Sequence, residues 1–108
     1  MTIKSKITKQ TLAEIEKITG SKLTLGNSIL AIRQADGLSQ IEFANMLGIT
    51  KQHLCDIEHD RKTVSPKLAA KYAEILGYSQ EQFIRLALQD LVDRSELNVQ
   101  VEISRKAA

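Results

Sequence analysis

Helix start and stop signals recur along almost the whole of this chain. Ser39 and Glu42 have the spacing of a capping box, and Ser65 stands before Pro66, which suits a first helical turn because its missing N–H is not needed there. Apolar runs of helical period end at glycines, which tolerate the left-handed conformation that closes many helices. These glycines are Gly20, Gly37, Gly48 and Gly77. The pattern predicts an all-α fold of five to six short helices.

The predicted helices lie between these signals. One short helix begins after Thr11, others run over about residues 24–35, 39–48, 51–58 and 66–77, and a last one begins at Ser79. The last helix carries a wide apolar stripe at helical spacing. The stripe consists of Phe83, Ile84, Ala87, Leu88, Leu91 and Val92. Its C-terminal part is a candidate dimerisation surface.

After this helix the pattern changes from a helical to an alternating period. Apolar residues alternate with polar ones over residues 97–103, as in a half-buried β-strand. A lone strand leaves backbone groups unpaired, so the same strand of a second copy is its simplest partner, and a symmetric dimer is predicted. The alternative is a frayed C-terminal tail. The predicted dimerisation residues are Leu88, Leu91, Val92, Leu97, Val99, Val101 and Ile103.

The composition places the chain among folded proteins, with 43% hydrophobic and 26% charged residues. A formal net charge of +2 excludes a histone-like blanket of positive charge. The single Cys55 excludes an intramolecular disulfide, and no stretch has the apolar length of a signal peptide or a membrane span. We therefore expect a cytoplasmic protein.

The charge is distributed unevenly and supports a division into three segments. Residues 1–24 carry five Lys against two Glu and are predicted to form a basic N-terminal arm with a short helix. This arm either reaches phosphate or serves as a solubilising tail. Residues 25–78 form the predicted central domain. Residues 79–108 form the C-terminal helix and strand that we expect to dimerise.

Residues 38–58 have the pattern of two helices joined by a tight turn. Ala44 is small, so that the second helix can cross close to it, and Gly48 makes the turn without a steric penalty. Thr50 can cap the second helix, whose polar face then points away from the shared core. That core is expected to consist of Phe43, Leu47, Ile49, Leu54 and Ile57.

This segment resembles the helix-turn-helix of the phage-repressor and XRE-type transcriptional regulators, over about residues 25–78. The matching positions are Ser39–Gln40, Phe43–Ala44, Leu47–Gly48–Ile49–Thr50 and Ile57–Glu58. The resemblance implies a lambda-repressor-like domain in which Arg33 and Glu58 form a structural ion pair, the alternative being two solvated charges. Asp60 stands where the family commonly has Gly, and Asp tolerates the left-handed backbone better than most residues.

The resemblance also implies that the second helix of the motif lies in the major groove of DNA. The residues in base-contacting positions are Lys51, Gln52 and Asp56. By its chemistry lysine suits guanine, glutamine suits adenine, and aspartate accepts from cytosine. The residues in positions that suit the DNA backbone are Gln40, Thr50, His53, Arg61 and Lys62. Solvated surface is the alternative for the exposed basic residues.

Neither a metal site nor an active site is predicted. Cys55 and His59 are four residues apart, but structural zinc takes four ligands and no second pair exists, so a packed thiol is the simpler interpretation. No glycine-rich phosphate loop and no nucleophile with a matched base is present. We expect no cofactor and no enzyme activity.

Two functions remain open on the sequence. The first is a sequence-specific DNA-binding transcriptional regulator, a repressor that acts as a homodimer on a near-palindromic operator. The alternative is the antitoxin of a toxin–antitoxin pair, which binds a toxin protein and regulates its own operon. For an antitoxin, residues 1–24 and 80–108 are the candidate partner surfaces.

Overall fold

A computed structural model describes residues 23–106 of the 108-residue chain. The basic arm and the helix predicted after Thr11 lie outside the described residues, apart from the last two positions of the arm. The described part folds into five α-helices. They are α1 (Leu25–Ala35), α2 (Gln40–Leu47), α3 (Lys51–Glu58), α4 (Pro66–Leu76) and α5 (Gln80–Arg94). The all-α fold class is confirmed.

Each helix begins after a serine or threonine whose side chain accepts a hydrogen bond from the backbone N–H three residues further on. These residues are Thr24, Ser39, Thr50, Ser65 and Ser79. The predicted capping box is complete, because the Glu42 side chain also accepts from the backbone N–H of Ser39. α2 ends at Gly48 and α4 ends at Gly77, with φ angles of 74° and 77°. These are the helix ends that the two glycines predicted.

The hydrophobic core lies among all five helices. α5 packs on α4 and α1, while α3 packs on α2 and α1. Four of the five residues predicted for the core of the motif are buried, and Ile49 packs against them from a partly buried position. Because burying one such side chain contributes about 1.5–3 kcal/mol, this core holds α2 and α3 in a fixed relation.

α1 and α3 approach each other closely at Gly26. A Cβ atom at this position would lie 2.0 Å from the carbonyl oxygen of Ile57 and 2.7 Å from Oδ1 of Asp60. Gly26 is therefore required for lack of space, and not because of a special backbone conformation.

α5 ends in a reverse turn that no glycine marks. The backbone N–H of Leu97 donates to the carbonyl oxygen of Val92 at 3.2 Å, and Glu96 takes a φ angle of 60°. This is the geometry of a left-handed helix closure, which costs a residue other than glycine about 1–2 kcal/mol. The turn sends residues 97–106, here called the tail, back along α5.

Contacts at two levels of α5 hold the tail. The side-chain amide of Gln89 donates to the carbonyl oxygen of Val99 at 2.9 Å and accepts from the N–H of Val101 at 2.7 Å. Further along, Arg105 forms an ion pair with Glu81 at 2.7 Å. The tail is therefore docked on the helix and not frayed.

No β-strand forms within residues 23–106, where the tail bonds to α5, and the pairing of residues 97–103 with a second copy stays a prediction. The chain is nevertheless extended around residues 99–101, because the Val99 C=O and the Val101 N–H both bond to one side-chain amide. Eight residues of α5 separate Gln89 from Glu81, about 12 Å along a helix. The tail covers this distance in the four steps from Val101 to Arg105, about 13 Å for an extended chain. The alternating pattern thus indicated the backbone conformation, while the partner in the described chain is a helix.

The predicted dimerisation residues differ in exposure. Leu97 and Val99 are both 57% exposed and Leu91 is 42% exposed, which is high for large apolar side chains. The remaining four, namely Leu88, Val92, Val101 and Ile103, are half-buried.

Candidate nucleic-acid interface

α2 and α3 form a rigid pair joined by the turn at Gly48. The N–H of Ile49 donates to the carbonyl oxygen of Ala44 at 3.0 Å, so the chain doubles back directly onto α2. Ala44 is 1% exposed, as expected for a small residue at a close crossing. Since one side of α3 is fixed in the core, its opposite face is available to a ligand.

A buried carboxylate connects α3 with α1 and α2. Oε2 of Glu58 lies 2.6 Å from Nε of Arg33, and Oε1 lies 3.3 Å from Nη2 of the same residue. The Glu58 side chain is 0% exposed and that of Arg33 is 15% exposed. Arg33 also donates to the carbonyl oxygen of Leu38 at 3.0 Å. The structure thus brings together the ion pair that the family resemblance implied, and it is bidentate.

Gln40 completes this network. Its side-chain Nε2 donates to Oε1 of Glu58 at 2.9 Å. The prediction placed Gln40 at the DNA backbone, and the structure shows that one amide hydrogen is already used inside the protein. A phosphate contact by Gln40 would therefore come from its second amide hydrogen or from the backbone N–H groups at the start of α2.

The free face of α3 presents the residues predicted to contact bases. Lys51 and Gln52 are exposed at its first turn, and Asp56 follows on the same side, half-buried. Thr50, predicted for the DNA backbone, is exposed and caps the helix. His53 is half-buried at the margin of this face.

Asp56 is the centre of a hydrogen-bonded cluster on this face. Its Oδ1 accepts from Nε2 of Gln52 at 3.1 Å and from Nε of Arg61 at 2.9 Å. Its Oδ2 lies 3.9 Å from Nζ of Lys62. One carboxylate therefore connects a predicted base-contacting residue with two predicted backbone-contacting residues.

These contacts keep the cluster charged. The hydrogen bond from Arg61 has the largest effect on the pKa of Asp56 and lowers it. Burial has the next largest effect and raises this pKa, while the hydrogen bond from Gln52 and the charges of Arg61 and Lys62 lower it further. The pKa of Arg61 is raised in turn, first by its hydrogen bond to Asp56. At neutral pH the cluster thus carries two positive charges, on Arg61 and Lys62, around one negative charge on Asp56.

Cys55 lies beside this cluster. Its Sγ accepts from Nη2 of Arg61 at 3.3 Å, and Nδ1 of His59 lies 2.8 Å from the Cys55 carbonyl oxygen. The thiol is half-buried and free. Within residues 23–106, no three His, Cys, Asp or Glu side chains gather as a metal site would require.

The loop that carries Arg61 and Lys62 is held by contacts on the side that faces α1 and α5. Asp60 takes a φ angle of 59°, the left-handed conformation that sequence analysis expected at this position. Its Oδ1 accepts from Oγ1 of Thr24 at 2.7 Å, and its carbonyl oxygen accepts from Nη2 of Arg94 at 2.5 Å. The loop is thereby connected to the start of α1 and the end of α5.

A second carboxylate stands at the same junction. Oδ2 of Asp90 accepts from the backbone N–H of Leu25 at 3.3 Å, at the N-terminus of α1. Burial raises the pKa of Asp90 to about 6, with smaller raising effects from the nearby charges of Asp60 and Asp93. The Leu25 hydrogen bond and the charge of Arg94 act in the opposite direction.

Sequence reasoning missed the residues of this junction, because their partners are distant in the chain. Asp60 and Arg94 are 34 positions apart, and Leu25 and Asp90 are 65 positions apart. The one available signal was Asp60, which stands at a position where the family commonly has Gly.

Comparison with known families agrees with this geometry. A family model described as Helix-turn-helix matches residues 29–83, about half of the chain. The chain therefore belongs to the XRE-type, lambda-repressor-like helix-turn-helix family, as the sequence motif indicated. No curated protein and no solved structure gave a match.

The family defines the class of protein. It consists of DNA-binding transcriptional regulators and is not a family of enzymes. None of the helices in residues 23–106 is both long and apolar enough to cross a membrane. The chain is thus a DNA-binding regulator of the helix-turn-helix class.

Proposed function

We propose that this protein is a sequence-specific repressor that binds a near-palindromic operator as a homodimer, with α3 in the major groove. The observation that carries the proposal is the free face of α3, where Lys51, Gln52 and Asp56 stand on a helix that the buried Arg33–Glu58 pair fixes from behind. A recognition helix needs a buried side that is held rigidly and an exposed side that is polar at its first turns.

The residues divide into two roles in the proposed complex. Lys51 and Gln52 contact base edges, with glutamine suited to adenine and lysine to guanine. Asp56 accepts from a cytosine amino group only if Gln52 or Arg61 moves away from it, because both already donate to it. Thr50, His53, Arg61 and Lys62 lie beside these residues in positions for the phosphates.

In the proposed dimer each copy contributes one recognition helix. The eight residues of α3 cover one half-site, and two copies related by a two-fold axis would place their helices about 34–36 Å apart, one turn of DNA. Repression follows if the operator overlaps the promoter, since bound protein then excludes the polymerase.

The experiment is a binding titration with the DNA upstream of the protein's own gene. We expect a shifted complex that contains two chains and that unrelated DNA displaces only poorly. The affinity of the protein for its operator should fall as the salt concentration rises. Equal affinity for operator and unrelated DNA would overturn the proposal. A promoter–reporter assay with the wild-type protein then tests repression, which predicts a lower signal when the protein is present.

An antitoxin is the second candidate function. The exposed apolar side chains of Leu91, Leu97 and Val99 favour it, because a toxin could cover them. Co-expression with the neighbouring genes tests this function. A neighbouring product that co-purifies with the chain and loses toxicity would support an antitoxin, and failure of every neighbour to co-purify would contradict it.

A further inference from the structure

The tail has one hydrogen-bonding edge in use and one free. In an extended chain, the backbone groups of alternate residues point to opposite edges. The C=O of Val99 and the N–H of Val101 both bond to the side chain of Gln89 on α5. The N–H and C=O groups of Asn98, Gln100 and Glu102, here called the outer edge, therefore point away from α5. No hydrogen bond in the described part of the chain uses these backbone groups.

The side chains of the tail have the same order in both directions from Gln100. Apolar residues stand one and three positions away on each side, and polar residues stand two positions away. An antiparallel pair of tails centred on Gln100 would set Val99 opposite Val101 and Leu97 opposite Ile103 of the second copy. Asn98 would face Glu102, so that an amide meets a carboxylate. The pattern thus complements itself.

The exposure of the apolar residues supports this register. Leu97 and Val99 are exposed in the single chain, whereas their counterparts Val101 and Ile103 are half-buried. The antiparallel register sets each exposed residue beside a half-buried one of the second copy. Because isolated two-stranded ribbons are marginal in water, this apolar contact is needed to stabilise the pairing.

We infer that two copies of this chain associate by antiparallel pairing of their outer edges, with Gln100 on the two-fold axis. The inference rests on the proposed function and deepens it by supplying the dimer interface. Gln89 is the positioning residue, since its amide holds each tail extended with the outer edge open. In this arrangement the backbone of Gln100 exchanges two hydrogen bonds with the backbone of Gln100 in the second copy.

Cysteine cross-linking tests the register. In a Cys55→Ser background, Gln100→Cys places two thiols on residues whose Cα atoms are about 5.5 Å apart, within the range of a disulfide. Asn98→Cys is the matched control, because its two copies would be displaced by four residues, about 13 Å. With diamide as the oxidant we expect a covalent dimer from Gln100→Cys and none from Asn98→Cys. The reverse result, or no cross-linking at position 100, would overturn the inference.

A mass measurement in solution tests the outer edge itself. Gln100→Pro removes the N–H at the axis, and we expect light scattering to show a monomer, while Gln100→Thr keeps the N–H and stays dimeric. Helical circular dichroism shows whether each variant is folded. A folded Gln100→Pro protein that remains a dimer, or a monomeric wild type, would overturn the inference.

The proposed function and the proposed interface can be contradicted separately. Cross-linking and mass are measured without DNA, so a wild type that binds no DNA selectively would overturn the proposed function while the interface stands. A wild type that binds its operator selectively, together with cross-linking of Asn98→Cys and none of Gln100→Cys, would leave the proposed function and overturn the interface.

Discussion

Asp56 is the residue on which the arrangement of the DNA-facing side chains depends. Its Oδ1 fixes both the amide of Gln52 and the guanidinium of Arg61 in the free protein. A carboxylate near phosphates normally weakens DNA binding, but here Arg61 and Lys62 offset its charge. Its main contribution is therefore expected to be the orientation of its neighbours.

Replacing Asp56 should reduce selectivity more than affinity. With Asp56→Ala, Gln52 and Arg61 lose their common acceptor, and the removed negative charge favours any DNA. We expect the ratio of operator to unrelated affinity to fall about tenfold, while binding to unrelated DNA is unchanged or tighter. Competition titrations measure both quantities.

Asp56→Asn is the control for charge, because it keeps an acceptor oxygen for both donors. We expect it to retain more selectivity than Asp56→Ala. If both variants lose preference at one cytosine position only, Asp56 contacts that base directly and the orienting role is contradicted.

Substitutions of Gln52 and Lys62 should affect DNA binding in different ways. Gln52→Ala removes a base contact worth about 1–3 kcal/mol and should relax preference at one position of the half-site. Lys62→Ala removes an exposed charge and should weaken all sequences alike, lowering the slope of log affinity against log salt by about 1 per chain. Lys62 is a cleaner choice than Arg61, whose loss would also disturb Asp56. Titrations at several salt concentrations distinguish the two, and identical profiles would contradict the division of roles.

At the scale of elements, the crossing of α1 and α3 depends on Gly26. Gly26→Ala would gain about 1 kcal/mol in helix propensity but would place a Cβ atom 2.0 Å from a backbone oxygen of α3. Because backbone cannot move aside as a side chain can, we expect a net loss of about 3 kcal/mol in the free energy of unfolding. Denaturant titration measures this loss.

Gly37→Ala is the matched control for that variant. Gly37 has a φ angle of 67° and nothing within 4 Å of an added Cβ, so only backbone strain opposes alanine there. We expect Gly37→Ala to lose about 1 kcal/mol. If Gly26→Ala proved as stable as Gly37→Ala, the packing explanation for Gly26 would be wrong.

Sequence patterns were informative at this scale where the cause of a structure is local. The capping box at Ser39 and the glycine at Gly48 mark helix ends within a few residues, and both were found. Gly26 carries no such mark, because the atoms that exclude a side chain belong to α3. The reverse turn at Glu96 was missed because a glutamate occupies a position that usually holds glycine.

The candidate site was likewise half predictable. The motif indicated which residues occupy the free face of α3, since helical spacing determines a face. It did not indicate that Asp56 connects Gln52 with Arg61, because the path of the loop after α3 depends on Asp60 and its partners in α1 and α5.

At the scale of the whole molecule, Asp90 makes stability depend on pH. Its folded pKa of about 6 lies above the ordinary value of 3.8, so the folded state binds this proton more tightly than the unfolded state. Its contribution is therefore most favourable below about pH 4 and is lost as pH rises through 6. The charges of Asp60, Asp93 and Arg94 near Asp90 contribute to this pKa shift.

Asp90→Asn should raise stability at neutral pH, because an amide can accept from Leu25 without burying a charge. We expect a gain of about 1–2 kcal/mol at pH 7, little change at pH 4, and a flatter profile between them. Thermal unfolding from pH 4 to 7 measures this, with Glu74→Gln at an exposed position as the control. A loss of stability at pH 7 would show that attraction between the carboxylate and the α1 N-terminus outweighs its burial.

The docking of the tail on α5 has a consequence for the phase of the operator. If tail pairing joins two copies, each α3 is connected to the axis through packed helices and not through a flexible linker. The two recognition helices then keep a fixed angle about the DNA axis, and one inserted base pair turns a half-site by about 34–36°. An operator lengthened by one base pair at its centre should therefore bind far more weakly, and insertion of a full helical turn should not restore binding, because the separation no longer fits.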